Sequence, residues 1–217
     1  MTTAEQIEVV RQYTQSQLAN DQTGHGMDHI MRVVKMAKQI AQGEQIDPFL
    51  PVVAAYLHDT IDEKLVADVQ LAQRHVADFL KKNDFTDEQV KVIMDTISNI
   101  SFAHTLDGKV NLSKVAQIVR DADWLDAIGA IGIMRAIYYG GAHGEKIYDP
   151  AIEPRTNMTR EEYRDLSHET IINHFSEKLF HIKDKLFTNT AQRIAEHRQQ
   201  VMIDYVAEFK AEWHGEQ

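Results

Sequence analysis

The chain has 217 residues, of which 43% are hydrophobic and 26% charged, so it can bury a sizeable core in one domain. Lysine and arginine number 23 against 33 acidic residues, and the net charge of −10 argues against a general binder of nucleic acid or membrane surfaces, since such proteins need a basic face. Cysteine is absent, which excludes disulfides and thiolate metal ligands.

The N-terminal stretch MTTAEQIEVVRQY lacks the basic and apolar regions of a signal peptide. The longest apolar stretch, 127–134, is far shorter than the ~20 residues that a membrane span needs. We therefore expect a cytoplasmic protein with no membrane partner.

Helical periodicity runs through nearly the whole chain. Apolar residues recur at spacings of three and four over 28–41, Gly43 closes that segment, and Asp47-Pro48 opens the next. Residues 49–58 are apolar all round, which predicts a buried central helix. Thr86 is a plausible N-cap for the predicted helix 87–100. The predicted helices are 28–41, 49–58, 66–81, 87–100, 112–122, 125–139, 161–186 and 188–213, with loops at 101–111 and 140–160.

These elements predict an all-α fold, because no segment has the alternating pattern of a strand. The simplest arrangement is a compact helical bundle forming a single domain over 1–217, with the C-terminal helices from about 161 packing on the core. A two-domain division at the 140–160 loop is the weaker alternative. That loop is long enough to suggest a functional role.

Three segments place metal-binding groups beside apolar helices. Without cysteine these groups are imidazole and carboxylate, which suit Mn, Fe, Ni, Co, Zn or, with more carboxylate, Mg. The segments are GHGMDHIMRV with His25 and His29, AAYLHDTIDEK with His58 and Asp59, and RDADWLDAIG with Asp121, Asp123 and Asp126. A lone histidine on an apolar helix is more often a hydrogen-bonded core residue, and Asp-x-Asp is more often a cap or solvated turn. The order His, His-Asp, Asp favours a metal site.

That order resembles the HD superfamily of metal-dependent phosphohydrolases. The segments HIMRV, AAYLHDTIDEK, ISNISFA, VRDADWLDAIGAIGIMRA and INHFSEKLFHIKDKLFTNTAQRIAEHR extend the resemblance to a bacterial subgroup of single-domain HD proteins, over residues 5–214. The resemblance implies an all-α fold of the HD-domain type. It also implies one divalent ion, Mn first and Mg, Fe, Ni, Co or Zn as alternatives, held by His29, His58, Asp59 and Asp123. Asp123 is preferred to Asp121 because the superfamily's ligand precedes a residue-plus-leucine step, as Asp123 precedes Trp124-Leu125.

Proton transfer would need a group that is not itself a ligand. Asp62 lies one turn after His58 and Glu63 follows it, and the superfamily's alarmone hydrolases carry a similar acidic pair at this offset. We predict Asp62 as general acid/base, helped or replaced by Glu63. The alternative is that both carboxylates simply solvate the end of the helix.

A phosphorylated substrate would need local cations on this acidic chain. Lys64 lies two residues beyond Asp62, Arg32 is one turn from His29, and His25 could donate a hydrogen bond to phosphate. Arg135 could reach a distal phosphate, and Lys109 is a further loop cation. Three tyrosines in or near the 140–160 loop could stack on a nucleotide base: Tyr138, Tyr139 and Tyr148. Core packing is the commoner use of tyrosine.

The function indicated is hydrolysis of nucleotides, since characterised members of the resembling subgroup include deoxynucleoside triphosphate pyrophosphohydrolases. A nucleotide phosphatase stays open beside a pyrophosphohydrolase. The alternatives are a guanosine alarmone hydrolase and a non-catalytic sensor that keeps the fold and the metal. The expected partner is a small phosphorylated molecule, with no nucleic acid, and the long C-terminal helices could pair in a homodimer.

Overall fold

The computed structural model describes residues 1–19, 26–62, 66, 68–100, 111–156 and 170–216. These residues form nine α-helices and two 3-10 turns, Leu179–His181 and Lys183–Lys185. The sole β pairing among them is an isolated parallel bridge between Lys146 and Thr170, so the predicted all-α class is confirmed. The helices are α1 Thr3–Gln17, α2 Met27–Gly43, α3 Phe49–Leu57, α4 Val69–Lys82, α5 Asp87–Asn99, α6 Lys114–Asp126, α7 Gly129–Ala142, α8 Ile171–Glu177 and α9 Asn189–His214.

The chain folds as two compact units, Met1–Asp123 and Trp124–Gln217. The division lies inside α6 and not in the 140–160 stretch where the two-domain alternative put it. That one functional domain covers 1–217 stays a prediction.

Helix α3 is the centre of the N-terminal unit, as its uniformly apolar sequence predicted. Every residue from Pro51 to Leu57 is buried, and the helix packs against α1, α2 and α5. Thr14 of α1 donates its hydroxyl hydrogen to the backbone oxygen of Tyr56 at 3.0 Å. Helix α3 therefore runs through the core and ends directly before His58.

Side-chain caps fix several helix starts. Thr86 forms a reciprocal capping box with Gln89 at the start of α5, which confirms its predicted role. Helix α4 begins at Val69, three residues later than predicted, because the Asp68 carboxylate accepts from the backbone N–H of Leu71 and caps the helix there.

The predicted break between 122 and 125 is wrong. Helix α6 continues to Asp126, since Trp124 and Leu125 are buried and extend its apolar face. The chain turns instead at Gly129, whose φ of 77° is in the left-handed region that side chains other than glycine rarely adopt. Helix α7 then runs to Ala142, so the following loop begins three residues later than predicted.

The described part of the predicted helix 161–186 is mostly not α-helical. Helix α8 ends at Glu177, where Lys178 leaves the helical region (φ −134°, ψ −56°), and the two 3-10 turns follow. Leu179, Ile182 and Leu186 are all buried. In a 3-10 turn residues i and i+3 lie on the same side, so the spacing of three between Leu179 and Ile182 fits this turn as well as it fits an α-helix.

The C-terminal unit is built on α9, which packs against α7 and α8. Thr188 caps its start and Gly215, with φ 70°, ends it, close to the predicted 188–213. Hydrogen bonds hold the described part of the loop that follows α7. Glu177 accepts hydrogen bonds from the backbone N, Nε and Nη2 of Arg155 at 2.9, 3.0 and 2.6 Å, and Asn173 donates to the Ile152 carbonyl at 2.8 Å.

Candidate metal centre

Three buried groups of the N-terminal unit converge at the ends of two helices. His29 is in the first turn of α2, while His58 and Asp59 directly follow α3. The residues are 1%, 7% and 5% exposed. Thr60 satisfies the carbonyl of Leu57 through both its backbone N–H, at 3.0 Å, and its hydroxyl, at 2.7 Å. That local capping ends α3 without using the side chain of His58 or Asp59.

Asp123 of α6 extends to the same point. Its Oδ1 lies 3.4 Å from His29 Nε2 and 3.8 Å from His58 Nε2. Asp59 Oδ2 lies 3.6 Å from His29 Nε2, and Asp59 Oδ1 lies 3.2 Å from His58 Nε2. Ligand atoms that share one ion with bonds of about 2.1 Å are roughly 3.0–3.4 Å apart. His29, His58 and Asp59 are therefore placed as a group that could hold one divalent ion, and Asp123 Oδ1 lies 3.4 and 3.8 Å from the two imidazoles of that group.

The tautomer of His58 supports that fit. Its Nδ1 lies 2.8 Å from the backbone oxygen of Ala55, which can only accept, so Nδ1 carries the hydrogen. The opposite atom, Nε2, is buried and makes no hydrogen bond, yet it lies beside the oxygens of two carboxylates. A lone pair facing carboxylate oxygens is stable only with a cation between them. That cation is either a proton on the imidazole or a metal ion shared by all four groups.

Asp123 is the group with the most solvent access, with a side chain 31% exposed against 1–7% for the other three. Burial would raise the pKa of Asp123, but the hydrogen bond with His29 and the electrostatic attraction of the His58 and His29 side chains outweigh it and hold the pKa below its ordinary value. The ionised form, which is the one that binds a cation, is therefore favoured.

The three carboxylates of the third segment have different surroundings, and Asp123 is the one beside the two histidines. Asp123 faces the two histidines, whereas Asp121 is fully buried. Asp126 is 5% exposed and forms an ion pair with Arg135, whose Nη1 lies 2.5 Å from Asp126 Oδ2. Arg135, which we considered for a distal phosphate, is thus engaged by this carboxylate.

The predicted catalytic and substrate residues are only partly described. Asp62 is half-buried, and its backbone N–H donates to the Asp59 carbonyl at 3.2 Å. Arg32 donates through Nη1 to Asp28 at 2.9 Å. The predictions for His25, Glu63 and Lys64, and the weaker one for Lys109, fall outside the described residues.

The three tyrosines considered for base stacking have different surroundings. Tyr148 contacts Phe209 and Trp213 of α9 edge-on, with ring centroids 5.9 and 5.4 Å away, so it anchors the loop to that helix. Tyr138 is 67% exposed, and Tyr139 stacks on His143 at 4.0 Å. Tyr148 therefore has the packing role that the sequence argument gave as the commoner one.

Comparison with known proteins gives the family. The model of the HD domain family matches residues 26–128, a range that includes all four converging groups. The YpgQ protein of Bacillus subtilis is 33% identical over 211 residues, which is 97% of this chain and 95% of YpgQ. No described helix has both the length and the apolar content to span a bilayer.

Solved structures agree over almost the full length. A Lactobacillus plantarum protein is 44% identical with a TM-score of 0.84, covering 99% of this chain and 100% of its own. An HD-superfamily hydrolase of Bacillus thuringiensis is 34% identical with a TM-score of 0.80 (98% and 99% covered). Bacillus subtilis YpgQ, crystallised in complex with ADP, is 32% identical with a TM-score of 0.79 (98% and 97%). The resemblance to HD proteins is confirmed, and the chain belongs to the HD domain family.

Proposed function

We propose that this chain is a metal-dependent phosphohydrolase that acts on nucleotides and cleaves a phosphate ester or pyrophosphate bond. His29, His58, Asp59 and Asp123 would hold one divalent ion. The observation that carries the proposal is His58, whose buried Nε2 lies 3.2 Å from one carboxylate and 3.8 Å from another while Nδ1 is bound to Ala55. When bound, the ion would supply Lewis acidity, neutralising phosphoryl charge and lowering the pKa of a water molecule.

Two nitrogen and two carboxylate ligands suit Mn, which we propose first, although Mg, Fe, Ni, Co and Zn accept the same donors. A nucleotide substrate is supported by the complex of YpgQ with ADP, and hydrolysis by the relative that is an HD-superfamily hydrolase. We infer that a nucleoside triphosphate, split into monophosphate and pyrophosphate, is the first substrate to test. A nucleoside monophosphate, split to release phosphate, is the second.

Asp62 is the residue we assign to proton transfer. It follows Asp59 by three residues, in a turn closed by the hydrogen bond between its own N–H and the Asp59 carbonyl. It is half-buried, so its carboxylate keeps access to solvent protons. In this role Asp62 takes a proton from the attacking water or gives one to the leaving oxygen, and Glu63 assists or replaces it.

The remaining residues in the proposal neutralise the substrate's phosphates. Lys64 and His25 would donate to phosphate oxygens, and Arg32 would do so from the first turns of α2. The carboxylate that Arg32 now contacts, Asp28, has a side chain 77% exposed, so exchanging that partner for a phosphate costs little.

The test is a panel of nucleoside mono-, di- and triphosphates with Mn, together with a guanosine alarmone, assayed separately for phosphate and pyrophosphate. Pyrophosphate from a triphosphate selects the pyrophosphohydrolase, and phosphate from a monophosphate selects the phosphatase. Release of pyrophosphate from the alarmone alone would replace the proposal by the alarmone hydrolase. Metal binding without turnover of any compound would refute an enzyme and favour a sensor.

A matched pair of variants ties the activity to the centre. D59N removes a carboxylate of the four-group cluster and should abolish turnover. D95N removes an exposed carboxylate of α5 and should leave turnover unchanged. Equal activity of D59N and the parent protein would reject the assigned site.

A further inference from the structure

The end of α6 is held by an arginine from α9. The last carbonyls of any helix lack partners within the helix and need donors from elsewhere. Arg198 supplies one, because its Nη1 donates to the backbone oxygen of Leu125. The contact joins residues 73 positions apart in the chain, and both belong to the C-terminal unit.

Gly129 makes room for the arginine stem. A Cβ atom at position 129 would lie 2.9 Å from Cγ of Arg198 and 3.0 Å from its Cβ, closer than side chains pack. The positive φ of Gly129 turns the chain at the same point. Glycine is therefore needed at position 129 for two reasons: its positive φ turns the chain, and the missing side chain leaves space for the aliphatic part of Arg198.

A second arginine fixes the side chain of the residue that ends α6. Asp126 is 5% exposed and bound by Arg135 of α7. Arg198 therefore holds the backbone of the last turn, and Arg135 holds its terminal carboxylate. These two contacts oppose the fraying that is usual at helix ends.

We propose that Arg198 is a positioning residue for Asp123: by capping α6 at Leu125 it fixes the turn from which the Asp123 carboxylate extends to His29 and His58. The inference rests on the proposed function, because it takes Asp123 as a metal ligand. Asp123 lies two residues before Leu125, so a rotation of the last turn would shift its carboxylate away from His29 Nε2, now 3.4 Å distant. Ligand sets tolerate displacements of only about 0.5 Å.

Three variants test this role. R198M keeps an unbranched stem over Gly129 but removes every donor, R198K returns one donor, and R193M is the control. Arg193 is an exposed arginine of the same helix, and its Nη2 donates to the hydroxyl of Thr190 one turn earlier. The measurements are Mn binding by calorimetry, at a temperature where each variant is folded, and amide hydrogen exchange of residues 123–126 in metal-free protein.

We expect R198M to bind Mn about tenfold more weakly, at the lower end of the effect of removing residues that support metal ligands. Its amides at 123–126 should exchange faster, and activity lost at limiting Mn should return in excess Mn. R198K should recover part of the affinity, and R193M should match the parent. A purely structural role would lower the melting temperature without changing Mn affinity or the Mn requirement.

The two proposals fail separately. If the parent protein takes up no Mn, the metal centre is refuted. If the parent binds Mn and folded R198M binds it equally well, only the role of Arg198 is overturned. Should R198M not fold, R198Q decides the matter, since its shorter side chain cannot reach Leu125 and must show the same loss of affinity.

Discussion

Binding of Mn should stabilise the protein against heat, and Asp59 should be required for that stabilisation. The Asp59 side chain is 7% exposed, and its oxygens lie 3.2 and 3.6 Å from the Nε2 atoms of His58 and His29. An amide at this position keeps the shape but removes the negative charge. The variant D59N should therefore fold without metal but hold Mn poorly.

The size of the effect follows from mass action. Free Mn at a hundred times its dissociation constant stabilises the folded state by about 2.7 kcal/mol. For a chain of this length each kcal/mol shifts the melting temperature by roughly 2–4 °C. The parent should therefore melt about 5–11 °C higher with Mn than after chelation, whereas D59N should gain less than about 2 °C.

The assay is differential scanning calorimetry of metal-stripped protein with and without MnCl2. D95N, which removes an exposed carboxylate of α5, is the matched control and should gain as much as the parent. A full rise in D59N, or no rise in the parent, would refute the reasoning. A large drop for metal-free D59N would show instead that the carboxylate supports the fold.

Three further predictions concern other parts of the chain. D62N should keep the Mn-dependent rise in melting temperature and lose about 10²–10⁴-fold in turnover. The control D78N, which changes an exposed carboxylate of α4, should lose no turnover. An unchanged rate in D62N would reject the proton-transfer role of Asp62. E177A removes a carboxylate whose side chain is 1% exposed and which forms an ion pair with Arg155. Urea unfolding should therefore show a loss of about 3 kcal/mol, and a loss below about 1 kcal/mol would contradict a stabilising role for this buried pair. G129A and G144A both place alanine at positive φ, but only at position 129 would the added Cβ meet another side chain, that of Arg198. Unfolding should therefore show a loss of about 1–2 kcal/mol for G144A and a larger loss for G129A. Equal losses would contradict the close packing of Arg198 on Gly129.

The buried helix and the cluster beside it were accessible from the sequence for a physical reason. A helix that is apolar all round has to lie in the core, so the position of α3 was predictable. The His58-Asp59 pair at its end was therefore expected close to the core. The order of His29, His58-Asp59 and Asp123 favoured a metal site, and the imidazole Nε2 atoms lie 3.2–3.8 Å from the carboxylate oxygens of the two aspartates. The local periodicity predicted the helices, and the family resemblance implied which four residues would hold the metal.

What the sequence did not predict depends on contacts or on backbone angles. Apolar spacing cannot distinguish α8 and its following 3-10 turns from one long helix. It cannot show that α6 continues past Asp123 and that the chain turns at Gly129. The cap of Arg198 on Leu125 joins distant residues through a backbone carbonyl, which has no signature in either segment. The same holds for the carbonyl of Ala55, which fixes the tautomer of His58.

The two tryptophans of the chain differ in their surroundings in a way that makes them optical probes. Trp124 is 5% exposed and directly follows Asp123, whereas Trp213 is 49% exposed and lies against Phe209 and Tyr148. A buried indole emits at shorter wavelength than a solvated one, and iodide should quench only Trp213. Without any label, fluorescence can thus follow the end of α6 through Trp124 and the seating of Tyr148 against α9 through Trp213.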